Sequence, residues 1–253
     1  MREPIATCQF VGRLGNQLWQ LAATVNYALK HNMRALFPSK SLNEKLWPLH
    51  FKNLPRIDGR FVKPWKQPDD GGYYNIPVQP NGIALHGFFQ SYKYINHPGT
   101  IERVKKLIGY KDEEPRPGVA IHVRRGDYLK HKDAFPPLPI SYYTTAFAES
   151  IWNGCNMNWV IFSDDIDWCK KEFGINGDIE FHPAGDPVSD LFEMSRYEHQ
   201  IIANSSYSYW AAMLNPNPDK IVICPHHTQY YGPANAHLKT VDLYPPEWKE
   251  VRF

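Results

Sequence analysis

Residues 118–128 read GVAIHVRRGDY. Val119 to Val123 has strand character, and the run ends abruptly on Arg124, Arg125, Gly126 and Asp127. A short apolar run closed by turn residues belongs to a buried sheet. Its carboxyl end here carries two adjacent cations. Successive strand residues face opposite sides, so Arg124 and Arg125 do different work. One is placed to meet a ligand, and the other to pair with Asp127 or another acid. Arginine suits the first task because its planar fork holds phosphate through two bonds and keeps its charge. A purely structural salt-bridge cluster is the competing reading.

Outward from this strand, apolar runs over 159–163, 179–182, 200–203 and 220–224 alternate with helical patterns over 141–152, 167–173, 187–197 and 206–214. Strands separated by helices of this length predict βαβ units and a parallel sheet. The first half carries a weaker version of the same pattern. A strand over 5–11 leads through a glycine-bearing turn at 12–16 into a helix over 17–31, where Leu18, Leu21, Ala22, Val25, Ala28 and Leu29 recur at helical spacing. Strands over 35–37 and 83–89 and a helix over 100–109 follow, and residues 38–82, dense in Pro, Gly, Trp and Tyr, read as irregular with one short helix at 41–46. The charged, proline-bearing KDEEPRPG at 111–118 is the clearest linker, so two α/β domains are expected, 1–111 and 112–253.

Composition narrows the function classes. The 253 residues are 43% apolar and 21% charged, ordinary for a soluble globular chain. A net charge of +2 without a basic tract argues against nucleic acid as a partner. Cys8, Cys155, Cys169 and Cys224 show no C-x-x-C spacing and read as free thiols. No signal peptide is evident and no apolar run approaches the ~20 residues of a transmembrane span. The expectation is a cytoplasmic protein, compatible with peripheral membrane association.

Three more stretches carry chemistry. GRLGNQ at 12–17 sits between strand and helix, where glycines allow close approach and a helix N-terminus favours an anion; it is neither G-x-G-x-x-G nor a P-loop. FSDD at 162–165 ends another apolar strand, and Asp165 with Asp167 spells D-x-D, although a helix N-cap explains Asp165 equally simply. EHQIIANSSYSYWAAMLNP at 198–216 runs an apolar strand into Asn204, Ser205 and Ser206 and then into an aromatic helix. His226 and His227 could pair on a metal, but no carboxylate stands beside them in sequence, so they read as loop residues.

In their order and spacing, GRLGNQLWQ, HVRRGDY, FSDD and ANSSYSYWAAMLN, with the closing PPEWKEV, resemble the α1,2-fucosyltransferases of glycosyltransferase family 11. Trp19 and Tyr209 depart from the family pattern but keep an aromatic ring. The resemblance implies a GT-B fold of two Rossmann-like domains facing across a cleft, the first on the acceptor side and the second binding the donor. It implies GDP-L-fucose as donor substrate, a galactose-containing oligosaccharide as acceptor, inversion at the transferred sugar, and no required metal or other cofactor. Arg124, Asp127 and Asn16 are the implied catalytic residues. Gly12, Arg13, Gly15, His122, Arg125, Ser163, Asp164, Asp165, His199, Asn204, Ser205, Ser206 and Tyr207 are the implied donor-binding set. Within it Arg124 would hold the pyrophosphate, Arg125 with Asp127 would give support, and Asp164 and Asp165 would lie near guanosine. Asp127 is the one candidate base, yet a carboxylate between cations makes a poor one. The alternatives are another GDP-fucose transferase (α1,6 or O-fucosyl), a metal-dependent glycosyltransferase using Asp165 and Asp167, and a non-enzymatic carbohydrate-binding module.

Overall fold

The buried alternation of the quoted strand organises half the molecule. In the computed structural model, which describes residues 3–38, 54–57, 62–155, 158–174 and 179–253, the chain divides into two compact units. One comprises Met1–Lys111 with Leu238–Leu243, the other Asp112–His237 with Tyr244–Phe253. A single cut at 112 therefore leaves out a short segment that rejoins the first unit, where Lys239 pairs with Asp70 at 2.7 Å and Lys93 with Asp242 at 2.7 Å.

The first unit holds strands β1 (Ile5–Cys8), β2 (Arg34–Ala35), β3 (Phe37–Pro38), β4 (Arg56–Ile57), β5 (Lys63–Lys66) and β6 (Ile83–His86), with helices α1 (Leu14–Lys30) and α2 (Thr100–Ile108). Its main sheet is parallel, ordered β2-β1-β6-β5, and β3 pairs with β4 beside it. The α1 helix begins three residues before the sequence pattern predicts, because Gln17 N already bonds Arg13 O at 3.0 Å. Inside it, the fully buried Gln20 ties down the β1–α1 turn through both the N–H and the carbonyl of Val11. Strand β5, KPWK, lies in the stretch that reads as irregular. It is a sheet edge, where Pro and Lys are tolerated and where hydrophobic alternation is lost. The short helix expected at 41–46 falls outside the described residues.

The second unit holds β7 (Arg116–Val123), β8 (Trp159–Ser163), β9 (Ile179–Phe181), β10 (Tyr197–Ile201), β11 (Val222–Pro225) and β12 (Lys249–Val251), with helices α3 (Ile140–Trp152), α4 (Ile166–Phe173), α5 (Pro187–Met194) and α6 (Ser206–Leu214). All six strands are parallel, in the order β9-β8-β7-β10-β11-β12. Counted within the unit this is 3-2-1-4-5-6, the Rossmann arrangement. One face of β7 (Val119, Ile121, Val123) enters a core with Tyr142, Tyr143 and Ala146 of α3 and Cys169 of α4. The α5 helix stops at Met194 rather than 197, since Arg116 N captures Arg196 O at 2.7 Å and draws Tyr197 into the sheet. All four cysteines are buried and free.

The fold is thus α/β, with parallel sheets in both units. Among the described residues no helix is long and apolar enough to cross a membrane.

Candidate active site

A Rossmann sheet has a natural ligand position where its strand order reverses, beyond the carboxyl ends of the two central strands. Here those strands are β7 and β10. Ile121 pairs with Ile201 and Val123 with Ser163, so the chain leaves β7, β8 and β10 at neighbouring points. What emerges there is Arg124–Arg125, Asp164–Asp165 and Asn204–Ser205.

The two arginines do separate. Arg124 pairs with Asp127 and, through Nη1, with Asp164 Oδ2 at 2.7 Å; its guanidinium lies 5.5 Å from the centre of the Tyr128 ring. Arg125, on the other side of the strand, bonds Asp165 Oδ2 through Nε at 2.9 Å and stacks 3.8 Å above the Trp168 ring of α4. The expected partnership of Arg125 with Asp127 is therefore corrected. Asp127 sits one 3-10 turn along from Arg124 and reaches that side chain, while Arg125 points toward α4, whose capping residue Asp165 meets it.

Asp164 and Asp165 are committed to these contacts. Asp164 Oδ1 accepts from the Arg125 N–H at 2.8 Å while its other oxygen holds Arg124. Asp165 caps α4, accepting from Trp168 N at 3.3 Å, and its own N–H bonds Ser163 Oγ at 2.9 Å. Asp167 is exposed in the first turn of that helix. The close approach of Asp164 depends on Gly126, because a Cβ there would stand 2.4 Å from Asp164 Oδ2.

On the β10 side, Asn204 is fully buried and its amide donates to Pro136 O at 2.9 Å and Tyr230 O at 3.0 Å. Ser205 caps α6 by accepting from Tyr207 N at 3.3 Å, and Ser206 opens the helix. Tyr207 leans its ring 5.4 Å from that of His122 and donates its hydroxyl to Pro187 O at 2.7 Å. Burial, then the nearby Arg124 charge, pushes the His122 pKa down to about 3, so the imidazole is neutral. Its Nδ1 and the Oδ1 of Asn204 are buried polar atoms without a partner among the described residues, as in a site built to receive a polar ligand.

His199 does not join this group. It lies within β10 opposite Val119, four residues before the end of β7, and its Nδ1 accepts from Ile221 N at 3.0 Å. Gly12, Arg13, Gly15 and Asn16 belong to the first unit. Gly12 takes φ +76° ahead of α1, where a Cβ would collide with Asn16 Nδ2 at 2.3 Å; Asn16 Oδ1 accepts from Gln90 Nε2 at 2.7 Å. Gly15 and Asn16 are in the first turn of the helix rather than in the turn before it.

Two residues of the cluster go unread in the sequence. Tyr128 lies under Arg124 and donates its hydroxyl to Asn204 O at 2.9 Å, linking the β7 and β10 sides. Trp168 supplies the platform for Arg125. Its one signal is its place three residues after an Asp that caps a helix.

The profile of glycosyl transferase family 11 matches residues 2–252, and the chain belongs to that family. Among curated relatives, an Escherichia coli α-1,2-colitosyltransferase is 31% identical over 140 residues, covering 53% of this chain and 47% of its own. The Mus musculus galactoside 2-α-L-fucosyltransferase Sec1 is 25% identical over 276 residues, covering 98% and 74%. The chain spans about half the length of the first curated relatives it matches, 47% and 43%. Among solved structures, NodZ α-1,6-fucosyltransferase soaked with GDP-fucose aligns over 85% of this chain and 94% of its own, at 12% identity and a TM-score of 0.49.

Proposed function

We propose that the protein transfers L-fucose from GDP-β-L-fucose to O2 of a terminal galactoside, with inversion and without a required metal. The observation that carries this reading is Arg124. It is held by two carboxylates at the switch point of a Rossmann sheet, beside the N-terminus of α6, in a family 11 chain. The names of the two relatives above, an α-1,2-colitosyltransferase and a galactoside 2-α-L-fucosyltransferase, support the linkage.

In this reading Arg124 binds the pyrophosphate. A guanidinium has five N–H donors; Asp127 accepts from Nη2 and Asp164 forms an ion pair at Nη1, and donors remain for phosphate oxygens. The N–H groups that open α6 add a fixed positive end. Neutral His122 offers Nδ1, and Asn204 offers Oδ1. Asp164, Asp165, Trp168 and Tyr128 orient the arginines.

The chemistry follows from charge. A single in-line displacement by the acceptor hydroxyl passes through an oxocarbenium-like state, while negative charge grows on the departing GDP. A preoriented guanidinium stabilises that charge, and one such donor contributes about 2.7–4 kcal/mol. Asp127 is tied to Arg124, so stabilisation of the leaving group rather than strong general-base catalysis drives transfer.

The experiment is incubation with GDP-fucose and a panel of galactose-ended oligosaccharides, with and without EDTA, followed by NMR of the product. An α1,2-fucosylated galactoside formed equally in EDTA is expected. Absence of fucosyl transfer, or activity lost in EDTA and restored by Mn²⁺, overturns the reading. The colitosyltransferase relative favours a second donor, so an activated colitose belongs in the same panel.

A further inference from the structure

The carboxyl end of β11 runs directly into His226 and His227, and its neighbour β12 carries Glu250. Strand pairing brings the three together across 23 residues of sequence: Cys224 pairs with Glu250, and His226 N continues the ladder to Val251 O at 2.9 Å. Glu250 Oε2 accepts from His227 N at 2.5 Å and lies 2.9 Å from His227 Nδ1. The two imidazoles stack at 4.3 Å. One ligand atom from each of the three residues lies within 4.8 Å of the others, and among the described residues this is the one such grouping of three.

We propose that His226, His227 and Glu250 form a site for a divalent cation of the zinc class, one that prefers imidazole nitrogen with a carboxylate oxygen. It shares no residue with the arginine cluster and is separate from the metal-free transfer argued above. Two imidazoles and one carboxylate make a donor set suited to Zn²⁺, Cu²⁺ or Ni²⁺ rather than to Mg²⁺ or Ca²⁺, which favour oxygen. Three protein ligands leave a fourth tetrahedral position for water.

The present contacts indicate how the site is held. His226 Nδ1 accepts from Thr228 N at 3.3 Å, which fixes the turn, and Arg252 Nη2 lies 2.8 Å from His226 Nε2. A guanidinium thus occupies the place of a cation beside the outer nitrogen. Arg252 is exposed, so it can leave without uncovering a buried charge. Ligand atoms around tetrahedral zinc stand about 3.4 Å apart, given bonds near 2.1 Å. The His227–Glu250 pair, at 2.9 Å, stands within about 0.5 Å of that spacing and opens slightly when a metal replaces the shared proton. With the three ligand atoms within 4.8 Å of one another, closing the third corner takes a movement of His226 of at most about 1.4 Å, which release from Arg252 permits. Bound metal would pin β12, an edge strand of three residues, to β11.

The test is calorimetric titration of the chelator-treated full chain with ZnCl₂, for wild type and for His227→Ala, Glu250→Gln and Arg252→Ala. Expected are one equivalent of zinc for wild type, at least tenfold weaker binding for His227→Ala and Glu250→Gln, and severalfold tighter binding for Arg252→Ala. The last result is one that a hydrogen-bonded cluster alone would not give. Zinc should also raise the melting temperature of wild type and not that of Glu250→Gln. Absence of one-equivalent binding, wild-type binding by Glu250→Gln, unchanged or weaker binding by Arg252→Ala, or equal affinity for Mg²⁺ each overturns the proposal.

Discussion

Arg124→Lys isolates what the guanidinium contributes, because it keeps the charge and removes the fork. Alanine is the cruder change. It takes from Asp127 and Asp164, with side chains 33% and 27% exposed, the arginine they share, and loss of one partner from a fully buried pair costs about 3–5 kcal/mol. Lysine avoids most of that penalty. Its ammonium has three donors radiating from one point; contacts to Asp127 and Asp164 use two and leave one, where arginine keeps more than one donor in the plane of its fork. The lost bidentate grip on a leaving phosphate is of the size of one oxyanion donor, about 2.7–4 kcal/mol, or 10²–10³ in kcat. The assay combines steady-state transfer from GDP-fucose, calorimetric GDP binding and denaturant unfolding. The expected pattern is a kcat reduced 10²–10³-fold, weaker GDP binding, and an unfolding midpoint near that of wild type. Turnover within about threefold of wild type, in a protein that unfolds normally, would refute the assignment of Arg124 to the leaving group.

Trp168→Ala removes the ring on which Arg125 stacks; a contact of this kind contributes about 0.5–2 kcal/mol, so GDP affinity should fall severalfold, with Phe restoring most of it in the same titration. Gly126→Ala places a Cβ 2.4 Å from Asp164 Oδ2; overpacking of this order costs about 1–3 kcal/mol, and urea unfolding and kcat should both register it as Asp164 is pushed from Arg124. His122 gives a pH signature. Its folded pKa of about 3 lies below the unfolded value near 6.5, so between these values the unfolded chain binds the extra proton and stability falls as pH falls. Relative to His122→Gln, wild type should lose about 1.4 kcal/mol per pH unit below 6.5, levelling off near 3. A parallel pH dependence in the two proteins would contradict the neutral assignment.

Much of this organisation is legible in the sequence. The second unit reads well because β7 and β8 carry apolar runs and three of its helices open on a capping side chain, Asp165 before α4, Asp186 before α5 and Ser205 before α6. Residues 54–57 and 62–66 read poorly, since edge strands such as KPWK carry no alternation. Helix α5 is overextended by three residues because nothing local reveals that Arg116, 80 residues earlier, captures the backbone of Arg196. His226 and His227 look like loop residues because their carboxylate neighbour arrives from another strand.

Local sequence accounts for the strand–helix alternation, the placement of two arginines at a strand end and, through strand geometry, their different ends. Those properties depend on neighbours along the chain. The folded chain settles which carboxylate meets which arginine, that Tyr128 and Trp168 orient them, that His199 stays within the sheet, and that Glu250 comes to the histidine pair. Those outcomes depend on strand order and register, which bring together residues 23 to 80 positions apart.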